Sequence, residues 1–218
     1  MFQTFNKDVQ DATDFVRVLF NDILRLPPSV STLARASDGT IQKDHILSVG
    51  LDIDLTMAGL VMLSTLLNVD VTVDPEQSSG GIIAIQFPRS GRKSTYGAII
   101  ANRDLQIPTS EVGRPRVRRW CLRAVICIET SHYVSFVRVG NVDCTRNQDV
   151  WLFLDSMAER NDDRNWPEIT DCTTEITPIF ASSVVPSYRS VDSFTANKNY
   201  AKRFVRDAYI CIYEVCPQ

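Results

Sequence analysis

Three short apolar runs crowd the stretch from Ala124 to Arg160 and leave the chain few ways to fold there. Val125 to Ile128, Tyr133 to Val139 and Val150 to Leu154 are rich in β-branched and aromatic residues, and polar or turn-forming residues fill the gaps between them. The pattern predicts an antiparallel β-meander. His132 stands at the entry of the second run and Asp155 at the exit of the third, and the midpoint of the two falls inside the polar connection Asn141 to Asp149. In a hairpin without a large bulge, residues equidistant from the loop centre face each other. The spacing therefore sets the imidazole opposite the carboxylate. Such a carboxylate would fix the tautomer of His132 and stabilise its protonated form, the orienter and base roles of a nucleophilic triad. The bland alternative, a surface His and an unrelated Asp at a strand end, is the better reading of an arbitrary pair.

The rest of the chain bounds what that pair can serve. With 218 residues, 44% hydrophobic and 22% charged, the chain can bury a sizeable core and is expected to form one globular domain or most of one. A net charge of -3 supplies no basic footprint for nucleic acid. Arg114, Arg116, Arg118 and Arg119 cluster locally, and Gly113 and Pro115 beside them favour a solvated loop. The opening residues carry acidic groups where a secretory signal needs an apolar core, and the most apolar helical window, Met57 to Leu67, is far short of the ~20 residues that span a bilayer. A cytoplasmic protein without membrane insertion is expected. Six cysteines are scattered without a C-x-x-C pair, and His45 and His132 are the two histidines. That usage predicts free thiols, no metal site and no cofactor.

In chain order, Asp8 to Leu26 places Ala12, Phe15, Val16, Leu19, Phe20, Ile23 and Leu24 at helical spacing, with Pro27 and Pro28 beyond. It predicts an amphipathic helix with one buried stripe. Ile41 to Val49 is a possible strand, and His45 within it is assigned no chemistry. Asp54 to Asn68 reads as a second helix carrying a Met and Leu core stripe. Ile82 to Arg89 is nearly continuously apolar and predicts a strand buried on both faces; Ser90 to Tyr96 would be a hairpin and Ala98 to Ile107 the next strand. Thr170 to Tyr200 is Ser/Thr-rich and unassigned, Asn199 to Asp207 suggests a short helix, and Asp207 to Tyr213 alternates as a half-buried strand.

His132-Tyr133 before a strand, followed by Trp151-Leu152-Phe153-Leu154-Asp155, resembles the histidine box of the ubiquitin-specific proteases. Most of that family has Gly before the His and an acid after the Asp; Ser131 and Ser156 stand here, and the wording ETSHYVSFV with WLFLDSMAER is similar to the cylindromatosis-type branch. Gln10-Asp11-Ala12-Thr13-Asp14-Phe15 resembles the family's Q-D-A-x-E-F box, Ile82 to Arg89 its central palm strand, and Ala208-Tyr209-Ile210-Cys211-Ile212-Tyr213 its terminal strand.

The resemblance implies a partial α+β, papain-like fold: a thumb helix over 8–26 and an antiparallel palm sheet within 82–218. It implies a cysteine-type deubiquitinase acting at the ubiquitin C-terminus, with His132 as general base, Asp155 as its orienter and Asp11 as a contact for the ubiquitin tail. Ubiquitin or polyubiquitin is the implied partner. The family places its nucleophile in an Asn-x-x-x-x-Cys box upstream of the Q-D-A box, and the residues before Gln10 leave no room for it. The other expectation is accordingly a catalytically inactive ubiquitin-binding or interaction module. Loss of further thumb helices is expected to leave apolar surface exposed along Asp8 to Leu26.

Overall fold

A computed structural model describes residues 12–25, 30–33, 41–44, 46–48, 61–62, 71–73, 81–87, 99–108, 117–129, 132–140, 149–155, 168–181 and 200–216. Its centre is the predicted meander, extended on both sides. β9 (Val117–Glu129), β10 (His132–Val139) and β11 (Val150–Asp155) run antiparallel, and β12 (Glu168–Asp171) adds an outer strand. On the other side β13 (Ala208–Val215) pairs with β9, β6 (Ile82–Gln86) with β13, and β3 (Ile46–Ser48) runs parallel to β6. The order is thus β12-β11-β10-β9-β13-β6-β3. β8 (Asp104–Pro108) pairs with Val117 to Cys121, while β10 pairs with Ala124 to Glu129. Since β13 holds the opposite edge of β9, β8 and β10 follow each other end to end along one edge.

The pleat sorts side chains onto two faces. Val125, Cys127, Val134, Phe136, Trp151 and Phe153 belong to the larger core, which also takes in residues of α2 (Thr173–Ala181) and α3 (Tyr200–Arg206). Aromatic rings close this layer: Phe136 meets Phe204 edge to face at 5.4 Å and Phe153 meets Tyr200 at 4.8 Å. The second face carries Ala84, Tyr209 and Ile210, with Ile126, Ile128 and Tyr133 against them, and receives Val16 and Phe20 from α1 (Ala12–Val18) and the π turn Leu19–Ile23 that continues it.

Several expectations are corrected by tertiary context. The π turn, closed by Leu24 N–H donating to the Leu19 carbonyl at 2.8 Å, widens the helix by one residue. Of the predicted stripe, Val16 and Phe20 are buried and Ala12 and Leu19 pack beside them, whereas Phe15, Ile23 and Leu24 are exposed. In the predicted second helix, Val61 and Met62 instead form a two-residue strand, β4 (Val61–Met62), parallel to β7 (Ile99–Ile100). Long-range pairing there outweighs the local period. Arg118 and Arg119 lie within β9 and not in a loop, and Arg119 pairs with Asp104 of β8 at 2.9 Å. The terminal strand is buried on both faces from Ala208 to Cys211, because it sits between β9 and β6.

The predicted strand Ile41 to Val49 is present as β2 (Ile41–Asp44) and β3; β2 pairs with β1 (Val30–Leu33), which also pairs with β5 (Val71–Val73). β6 buries Ile83, Ala84 and Ile85 as its apolar run predicts. Tyr200–Arg206 forms the short helix expected near the C-terminus. α2 arises in the unassigned segment. It includes Pro178, and the Asp171 carboxylate accepts the Thr173 N–H at 2.9 Å beside its first turn. His45, Cys144, Arg114, Arg116, the Ser90 to Tyr96 hairpin and Asp11 lie outside the described residues.

The free-thiol expectation fails at one pair. Cys121 and Cys216 are joined by a disulfide between β9 and the end of β13, with Cα atoms 5.8 Å apart. Their separation of 95 residues hides the pairing from any spacing rule. Cys127, Cys172 and Cys211 are free and buried.

Candidate active site

The ladder of β10 and β11 sets Val134, not His132, directly across from Asp155. The predicted register is therefore two residues off. An even offset leaves both side chains on the same face, whereas an odd one would have sent them to opposite faces. The pair becomes a diagonal one, a spacing that long side chains bridge. His132 Nε2 lies 2.7 Å from Asp155 Oδ1.

This geometry fixes the chemistry of the ring. A carboxylate only accepts, so Nε2 carries the proton and Nδ1 keeps its lone pair in the neutral imidazole. Among the described residues nothing hydrogen-bonds to Nδ1. The side chains are 26% and 13% exposed, so the imidazole stands nearer the solvent and the carboxylate deeper. A ring held in this way can take a proton from a thiol brought to Nδ1.

The surrounding wall includes residues that sequence reasoning did not single out. Glu168 of β12 pairs in register with Asp155, which puts a second carboxylate on the same face. Thr170 Oγ1 donates to Glu168 Oε1 at 2.8 Å and the Tyr200 hydroxyl at 3.2 Å, so its charge is held by two donors. The Arg203 guanidinium lies 5.3 Å from the centre of the Phe153 ring. Glu168 follows a turn-rich segment with no alternating pattern, and its sequence offers no signal of this placement.

On the other face Tyr133 ties the same end of β10 to α1. Ala12 N–H donates to the Tyr133 hydroxyl at 3.5 Å, and the Tyr209 hydroxyl lies 3.1 Å from Thr13 Oγ1 while accepting from Gln86 Nε2 at 2.9 Å. The start of α1 and His132 thus lie at the same end of β10, on opposite faces. Asp11 directly precedes that helix start in sequence.

The free thiols are poor nucleophiles. Cys127 lies on the His132 face and pairs across from Val134, but it is buried and directs Sγ to the Arg203 carbonyl at 3.5 Å. Burial, then the charges of Glu175 and Asp171, push the Cys172 thiol up to about 12.

A sheet packed by helices on one face and by an N-terminal helix on the other, with a His and an Asp joined where β10 begins and β11 ends, has a partial fold of the ubiquitin-specific protease type. Over 96% of the chain it superposes on a solved structure of the Ubp8-Sgf11-Sgf73-Sus1 SAGA DUB module, with a TM-score of 0.50, 12% identity and 49% of that chain covered. In sequence it is similar to the ubiquitin carboxyl-terminal hydrolase CYLD of human and of mouse, 41% identical over 98 residues, which is 43% of this chain. The match spans 9% of the length of those relatives. No protein-family model matches the chain.

Proposed function

We propose that this chain supplies the base and orienter of a cysteine-type deubiquitinase that hydrolyses isopeptide or peptide bonds at the ubiquitin C-terminus. His132 takes the thiol proton at Nδ1 and returns it to the leaving amine, and Asp155 holds the ring through Nε2. The nucleophilic thiolate comes from a segment outside these 218 residues. Asp11, which precedes α1 in sequence, meets the basic tail of ubiquitin. The 2.7 Å contact of His132 with Asp155 carries the reading, because it engages Nε2 and leaves Nδ1 for a thiol. Burial of Cys127, Cys172 and Cys211 supports an outside source of the thiol. The similarity to CYLD supports ubiquitin as the partner.

The test is a ubiquitin probe with a C-terminal electrophile. The 218-residue chain is expected to bind ubiquitin and form no adduct, while a longer chain carrying the upstream thiol forms one and loses turnover on His132→Ala. Unchanged turnover in His132→Ala excludes the assigned base, and labelling of a cysteine within the 218 residues overturns the outside thiol. Ubiquitin binding without adduct or turnover in the longer chain selects the inactive binding module.

A further inference from the structure

At the other end of β9 a second cluster has no part in the chemistry proposed above. Cys121 is flanked in register by Asp104 of β8 on one side and by Glu214 of β13 on the other. Cys216, just past β13, is anchored by its N–H donating to the Arg119 carbonyl at 2.9 Å. The two sulfurs and one Asp104 carboxylate oxygen lie within 4.8 Å of one another. Cys121 is eight positions from Glu129, the residue facing His132, which at the rise of a β-strand puts the cluster about 26 Å along the sheet. Its role is separate from the histidine.

The carboxylate of Asp104 is unevenly served. Oδ2 accepts from Arg119 Nη2 at 2.9 Å, whereas Oδ1 is enclosed and has no donor among the described residues. A disulfide cannot supply one, since it carries no proton. An enclosed acceptor without a donor is uncommon and calls for a specific cause, such as a redox role or an ion. A thiol proton or a cation at the sulfurs would satisfy Oδ1. Two thiolates with one carboxylate favour zinc over calcium or magnesium, which prefer all-oxygen shells. Zn–S bonds of about 2.3 Å at tetrahedral angles put two sulfurs about 3.8 Å apart, a spread that side-chain rotation can provide once the bond is open. Arg119 would orient the ligating carboxylate from behind, as such ligands are commonly held.

We propose that Asp104, Cys121 and Cys216 form a thiol-gated zinc site. In the oxidised protein the sulfurs are bonded to each other. A dithiol reductant opens the bond, becoming a cyclic disulfide and leaving two protein thiols; zinc then displaces the two thiol protons to solvent and binds both thiolates and Asp104, with water in the fourth position. Disulfide and zinc exclude each other. The inference does not rest on the deubiquitinase reading.

The 218-residue chain, reduced with a dithiol and freed of it anaerobically, is titrated with zinc against a chromophoric chelator and, in parallel, with Co2+ to read thiolate-to-metal absorption. One equivalent is expected in the reduced protein and none before reduction. Asp104→Asn should lower the affinity at least tenfold while still forming the disulfide, and Cys121→Ser with Cys216→Ser should abolish uptake. Uptake equal in that double variant, no uptake by the reduced chain, or an affinity unchanged in Asp104→Asn would each overturn the site.

Discussion

Replacing Asp149 should reveal how much of this sheet depends on one carboxylate. Asp149 Oδ1 takes Arg138 Nη2 at 2.6 Å and Oδ2 takes Arg103 Nη2 at 3.0 Å. The three side chains are 12%, 2% and 21% exposed, so Arg138 is the charge that water cannot reach. Its other contact here is a bond from Nη1 to the Leu122 carbonyl at 3.4 Å. Stranding a buried charge costs about 3–5 kcal/mol, and the partial exposure of Asp149, which lets water into the vacated space, favours the lower end. Arg103 can turn to solvent and adds less than about 1 kcal/mol. Asp149→Ala is thus expected to lose about 3 kcal/mol, a large share of the 5–15 that hold a typical domain together. At about 2–4 °C per kcal/mol for a chain of this size, the midpoint of thermal unfolding should fall by about 6–12 °C. Urea unfolding of Asp149→Ala beside Arg119→Ala, whose exposed ion pair with Asp104 is worth under about 1 kcal/mol, separates burial from charge as such. A loss in Asp149→Ala no larger than in Arg119→Ala would refute the reasoning.

Two further outcomes follow from the packing. Tyr209→Phe removes the hydroxyl shared by Thr13 and Gln86, and should loosen α1 from the sheet, read as faster amide exchange over Ala12 to Val18 with the rest of the sheet unchanged; unaltered exchange would mean Val16 and Phe20 alone seat the helix. Cys172, with its thiol pushed up to about 12, should resist iodoacetamide in the folded protein at pH 8, where its thiolate fraction is about 10⁻⁴. Its labelling should rise about tenfold per pH unit as long as the fold persists, and ready labelling at neutral pH would show that burial does not govern this thiol.

The meander and its charged pair were legible because each strand advertises itself locally, and because parity survives a two-residue error in register. The error itself was not legible: Asn141 to Asp149 gives the loop centre only approximately, whereas the register is set by Phe136 facing Phe153 and Val137 facing Leu152. Glu168, Asp104 and the Cys121–Cys216 bond escaped notice because each meets its partner across strands that no sequence spacing relates. α2 was hidden by its own residues, three threonines and a proline that favour other conformations in isolation. It forms where Ile176 and Ile179 reach the larger core.

The sheet is not equally guarded along its width. β9 and β13 have a paired strand on each side, whereas β12 is a four-residue edge whose Ile169 points to water. Deuterium should therefore enter from the β12 side and reach the middle last. His132 and Asp155 sit between these limits, on β10 and β11, so their backbone amides should exchange later than those of β12 and earlier than those of β9 and β13.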